Sequence, residues 1–150
     1  MDTNNPVVLA YIAGLFDGEG TAGVYIINRS PSRKYPKGAR VISLVAAIKM
    51  TDAAPVRFVH SVFGGSFAII PPKLLQKRKQ VYYWTVSYRK AQKFAETILP
   101  YIKNPSKVAQ LTKILDHYKQ WTRPVKGVIR YGSPVYTDAQ LAKGWGKWLQ

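Results

Sequence analysis

The chain has 150 residues, 47% of them hydrophobic and 13% aromatic, with 23 Lys and Arg against 7 Asp and Glu for a formal charge of +16. That composition excludes a disordered chain and fits one compact core. It contains no cysteine and two histidines, which excludes disulfides, thiolate nucleophiles and cysteine-based zinc sites.

His60 and His117 both fall in helix-like stretches and read as structural. No apolar run is long enough to span a bilayer and no signal peptide is recognisable. The expectation is a soluble, intracellular protein without a membrane partner; organelle matrix, bacterial cytoplasm and phage-infected cell stay open. The charge is unevenly spread: no acid occurs between Glu19 and Asp52, or between Asp52 and Glu96. Arg29, Arg33, Lys34, Lys37, Arg40 and Lys49 occupy the first gap. A nucleic acid is the polyanion that such a pattern serves. A membrane surface would call for a basic amphipathic helix, whereas these cations lie in strand-like and loop-like segments.

In chain order, Val7 to Phe16 is apolar almost all round, predicting a helix buried on more than one side. It ends in an Asp17-Gly18-Glu19-Gly20 turn. Its small residues Ala10, Ala13 and Gly14 let another backbone approach closely, either within one core or from a second copy. Thr21–Arg29 and Ala39–Met50 read as strands joined by a basic loop. Alternation sets Ala22, Val24 and Ile26 against Tyr25, Ile27 and Arg29. It likewise sets Ile42, Leu44, Ala46 and Ile48 against Val41, Ser43, Val45, Ala47 and Lys49. A helix capped by Thr51 or Asp52 runs to about Val62 and stops at Gly64-Gly65. Ser66–Ile70 and Val81–Ser87 form a second hairpin with Lys73, Lys77, Arg78 and Lys79 in its loop. A third helix covers Tyr88–Leu99. Asn104-Pro105 caps a fourth, ending near Trp121. Thr137 and Gln140 fit a capping box for a short helix in the tail.

The expected fold class is α+β, in the order α-β-β-α-β-β-α. It has a four-stranded, twisted antiparallel sheet with helices on one face and an open basic saddle on the other. Residues 1–122 form the domain and 123–150 an extension. A twisted ribbon of this kind can lie along the DNA major groove.

Ile12-Ala13-Gly14-Leu15-Phe16-Asp17-Gly18-Glu19-Gly20 resembles the signature of the LAGLIDADG homing endonucleases. The stretch from Trp84 through Pro100-Tyr101-Ile102-Lys103 is similar to the family's later strand, helix and turn. The resemblance covers about residues 7 to 120. One motif in 150 residues resembles the single-motif branch, whose members are homodimers. It implies that Ala10, Ala13 and Gly14 form the dimer interface and that the site is pseudo-palindromic. A nine-residue strand spans roughly 30 Å, so each subunit follows about nine base pairs and a dimer reads on the order of 20.

The resemblance further implies a metal-dependent hydrolysis of phosphodiesters that leaves short 3′ overhangs, encoded by a mobile intron or intein-like element. Glu19 stands at the family's catalytic, metal-binding acid, with the Gly18 carbonyl beside it. The cofactor is Mg²⁺ or another divalent cation such as Mn²⁺, which prefer oxygen donors. Asp17 is read as a structural contact. The family's lysine, five positions after the turn proline, is replaced by Pro105, so Lys103 and Lys107 are the candidates for its role, and Lys49 is a further participant. Expected DNA contacts are Tyr25, Arg29, Arg33, Lys34, Arg40, Ser43 and Lys49 from the first hairpin. The second hairpin offers Lys77, Arg78, Lys79 and Tyr82, with Ser66, Ala68 or Ile70 as weaker contacts. Two rivals use the same scaffold: an RNA-binding maturase acting on intron RNA, and a non-cleaving DNA-binding regulator.

Overall fold

The computed structural model describes residues 3–72, 78–120, 129–130 and 133–134. The elements run α1 (Pro6–Glu19), β1 (Gly20–Arg29), β2 (Ala39–Met50), α2 (Ala53–Phe63), β3 (Ser66–Ile70), β4 (Val81–Ser87), α3 (Tyr88–Ile98) and α4 (Pro105–Gln120). A short 3₁₀ turn over Leu99–Tyr101 links α3 to α4, and the tail contributes the paired segments β5 (Ile129–Arg130) and β6 (Ser133–Pro134). The α+β class and the four-stranded antiparallel sheet are as expected from the alternation. The pair β5–β6 is not. The helix expected from Thr137 lies outside the described residues. No helix among the described residues is long and apolar enough to cross a membrane.

Local chemistry explains the boundaries. Asn5 caps α1, its Oδ1 accepting from the N–H groups of Val7 (3.0 Å) and Val8 (3.4 Å), with Pro6 at the first helical position where its missing N–H costs nothing. The helix then continues through Asp17-Gly18-Glu19, which is its last turn rather than a separate acidic turn. The chain passes straight into β1 because Gly20 is extended (φ −82°) and the ring of Phe16 fills the space a side chain there would need. At the end of α2, Gly64 and Gly65 adopt positive φ of 67° and 88°, a conformation that glycine alone takes without strain. This reverses the chain into β3.

The sheet order is β1-β2-β4-β3, so the two hairpins join through an antiparallel β2–β4 seam. Gly20 pairs with Ile48, Ile48 with Trp84, and Trp84 with Phe67. This register puts Ala22, Val24, Ile42, Leu44, Ala46, Ile48, Trp84 and Val86 on one face, all buried in the core. Helices α1, α2 and α3 pack against β2 there, and α4 against β1. An aromatic knot fastens the layers: Phe94 of α3 lies 5.1 Å from Trp84, 5.5 Å from Phe16 and 4.8 Å from Phe63, centroid to centroid. The Trp84 indole N–H donates to the Gly64 carbonyl at 2.7 Å, which satisfies the ring's one polar group inside the core.

His117 of α4 is fully buried. Burial chiefly, and the positive Arg89 secondarily, lower its pKa from 6.5 to about 4. The unfolded chain therefore binds a proton at a pH where the folded one does not, and stability falls as pH drops from about 6.5 towards 4. A depression of this size corresponds to roughly 3 kcal/mol. Urea unfolding at pH 7 and pH 4 should show this loss, and His117→Leu should flatten the pH dependence.

Candidate nucleic-acid interface and active site

The end of α1 is held from three sides. The Asp17 carboxylate accepts from the main-chain N–H groups of Lys103 (3.0 Å) and Asn104 (3.1 Å), and the Asn104 amide donates to the Asp17 carbonyl at 3.4 Å. Asp17 thus ties the motif helix to the entrance of α4, the structural role expected of it. The Lys107 ammonium donates to the carbonyl of Gly20, next in sequence to Glu19. Of the two lysines flanking Pro105, Lys107 is the one brought to this helix end. Lys103 contributes its main chain there, and its side chain is exposed. Pro105 is the first residue of α4, which accounts for proline at that position.

Glu19, exposed at the last position of α1, opens onto a cavity of ≈ 370 Å³ that it lines with Lys49, Met50, Thr51, Asp52 and Val81. The Gly20–Ile48 pairing brings the start of β1 level with the end of β2, and so sets the carboxylate beside Lys49. Asp52 went unrecognised as a site residue in the sequence, where it reads as a helix cap. It occupies the N-cap position of α2, yet its carboxylate makes no capping bond and shares the cavity with Glu19. These two carboxylates are the only acids between Gly18 and Ala95, and that isolation was the available signal. Among the described residues no three His, Cys, Asp or Glu side chains group closely enough to hold a metal by themselves.

The sheet face away from the helices carries Tyr25, Ile27 and Arg29 of β1, paired with Ser43, Val41 and Ala39 of β2. It continues through the rows Lys49–Tyr83–Ala68 and Ala47–Thr85–Ser66. Tyr25 is 52% exposed and Arg29, Lys49 and Ser66 are exposed. The Lys49 ammonium sits 4.7 Å from the centre of the Tyr83 ring, while partial burial and the neighbouring Tyr25 hold the Tyr83 hydroxyl above its usual pKa. Ser43 lies on this face but is buried, as are Val41 and Ala47; β6 lies against the same strand. Arg33 and Lys34 are exposed in the β1–β2 loop, and Arg78 and Lys79 precede β4. Lys77 lies outside the described residues.

One expected contact falls on the opposite face. Tyr82 pairs with Met50 and Ile69, stacks on Phe67 at 6.3 Å and packs against the core. The open-face tyrosine is therefore Tyr83. Arg40 pairs with Asn28 in the β1–β2 ladder. A one-residue slip exchanges faces along a whole strand, and Trp84, the aromatic anchor, fixes which parity points inward.

The small residues of α1 also divide. Ala13 is fully buried in its own core, so it is not available to a second copy. Ala10, Gly14 and Gly18 are exposed, alongside Tyr11 at 50% and Val7 at 78%. A side chain built at Gly14 would meet nothing within 4 Å. Beside this stripe lies an apolar cavity of ≈ 490 Å³ between Val7, Val8 and Tyr11 of α1 and Ala54, Pro55 and Phe58 of α2.

A motif helix that runs into a four-stranded saddle open on one face defines a fold class with solved representatives. The homing endonuclease I-CvuI, solved with the I-CreI target in the presence of Mg and with the DNA not cleaved, superposes with a TM-score of 0.55 at 20% identity, over 79% of this chain and 70% of that one. The group I intron-encoded homing endonuclease I-CeuI, complexed with DNA, gives 0.54 at 14%, over 78% and 56%. The LAGLIDADG homing endonuclease I-LtrWI, bound to target DNA, gives 0.52 at 15%, over 75% of this chain but only 36% of its own. No protein-family model and no curated protein matches the sequence. The chain has the LAGLIDADG homing endonuclease fold, as its motif implies.

Proposed function

We propose that the protein is a homodimeric, divalent-metal-dependent endonuclease that cuts both strands of duplex DNA at a pseudo-palindromic site of roughly 20 base pairs. The observation that carries this reading is Glu19: a carboxylate at the C-terminal end of the motif helix, on a cavity beside a sheet whose other face is free of helices, in a chain of charge +16.

The donor set suits a hard cation. Glu19, Asp52 and the Gly18 carbonyl offer oxygen, and the helix C-terminus adds its negative dipole end. Two carboxylates leave most of the coordination shell to water and substrate phosphate, the usual arrangement for Mg²⁺. When bound, such a cation supplies a more acidic water and charge stabilisation at phosphorus. The chain's own residues do the positioning. Asp17 fixes the last turn of α1 against α4, Lys107 fixes the Gly20 carbonyl, and Lys49 offers an ammonium to the phosphate backbone. Arg29 and the cations of both hairpin loops neutralise further phosphates and set the register on the duplex.

Lys107→Met should lower the cleavage rate about 10- to 100-fold, the usual cost of losing an outer-shell partner, with duplex affinity changed little. Single-turnover kinetics on a bound target measures it, and Lys107→Arg should recover part of the loss. The whole reading is tested by incubating the protein with randomised duplexes under Mg²⁺ and under Ca²⁺. Selective double-strand cutting with Mg²⁺ supports it. Selective binding with no cutting by either ion would point to the regulator, to which Pro105 in place of the family lysine lends some support. Splicing of an intron without DNA cleavage would point to the maturase.

A further inference from the structure

Two aliphatic side chains stand exposed on the open face of the sheet. Ile27 in the first hairpin is 45% exposed and Ile70 in the second 36% exposed. They belong to β1 and β3, the two outer strands, so one flanks each side of the face. Ile27 is level with Val41 near the start of β2. Ile70 is level with Val81, a wall residue of the Glu19 cavity. Their charged company is sparse: Arg29 lies on the face beyond Ile27, and Lys49 precedes Ile70 one row over through Tyr83 and Ala68. This face therefore carries far less of the chain's positive charge than its loops do.

Strand propensity explains an isoleucine in a strand. It does not select a large apolar side chain at a solvated position. A duplex would cover these positions if the face is a DNA interface, and the inference rests on that reading. Phosphates and the hydrogen-bonding edges of guanine, cytosine and adenine give an aliphatic side chain nothing. The apolar group that the major groove presents is the 5-methyl of thymine. We infer that Ile27 and Ile70 are specificity-determining residues that read thymine methyl groups at two separate positions of each half-site. Ile70 reads the position near the cut and Ile27 the outer one. The length of β2 separates them, about 30 Å along the sheet, or on the order of nine base pairs.

The test removes the methyl group and leaves every hydrogen bond in place. A duplex is selected from a randomised library by the full chain in Ca²⁺. Its thymines are then replaced singly by deoxyuridine, and affinity is measured by mobility shift. Each contacted thymine should show a loss of about three- to fourfold, the worth of one buried methyl. In Ile70→Ser the penalty should vanish at the inner position and persist at the outer one; Ile27→Ser should do the reverse. Both side chains are exposed, so unchanged melting temperatures are expected of both variants. A selected duplex insensitive to deoxyuridine throughout, or penalties that survive in both variants, overturns this assignment and leaves the endonuclease reading standing. Failure to select any duplex overturns both.

Discussion

Glu19→Gln should lose double-strand cleavage by about a thousandfold or more while retaining affinity for the same duplex in Ca²⁺. The substitution keeps the size of the side chain and removes its charge. Glu19 is exposed at a helix end, so folding has little stake in it, and the neutral amide removes an anion from the negative end of the helix dipole. The loss should therefore fall on chemistry. An anionic ligand that holds a divalent cation against the developing charge of the transition state is worth several kcal/mol, and each 1.36 kcal/mol is about tenfold in rate. Asp52 on the same cavity gives a graded control: Asp52→Asn should weaken Mn²⁺ binding without abolishing cutting. Wild-type cleavage by Glu19→Gln would sink the assignment of the catalytic acid, whatever the DNA affinity.

Gly14→Gln should convert the proposed dimer into a stable monomer that cannot cut both strands. Within one chain the change is benign. The position is exposed, nothing lies within 4 Å of a built Cβ, and replacing glycine inside a helix gains roughly 0.5–1 kcal/mol of helix propensity. Across the two-fold axis of the proposed dimer the same side chain would prop apart two helices that meet there at their small residues. Thermal unfolding should thus show equal or higher stability, light scattering a mass near 16.9 kDa, and gel assays loss of double-strand breaks. Ala13→Gln, one residue earlier, should unfold the chain instead, because Ala13 is fully buried. Undiminished dimer mass and cleavage in Gly14→Gln would remove α1 from the interface.

Much of the fold was legible because its determinants are local. The alternation in β1 and β2, the paired glycines after α2 and the Asn104-Pro105 cap each act within a few residues of chain, and each element formed where they placed it. The motif was equally legible, since nine contiguous residues carry it. The reach of α1 to Glu19 was less so, because the Gly-rich sequence of its last turn resembles a turn. The helix ends at Gly20, which is extended and where the Phe16 ring leaves no room for a side chain.

The site was legible only in part, and the division has one physical cause. Residue type and spacing, read alone, determined that this chain folds as helices on one face of a four-stranded saddle, that its surface suits a polyanion, and that an acid sits at the end of the motif helix. They did not determine rotation or register between elements distant in sequence. Tyr83 rather than Tyr82 faces outward because the Trp84 indole, bonded to the Gly64 carbonyl, locks the parity of β4. Lys107 rather than Lys103 reaches the motif helix because α4 starts at Pro105 and packs along β1, so that its first turn passes over Gly20. Asp52 joins Glu19 because the β1–β2 ladder brings residues far apart in the chain to one cavity. Those choices were made by packing, which acts between surfaces and depends on ångström-scale fit that no single stretch of sequence contains.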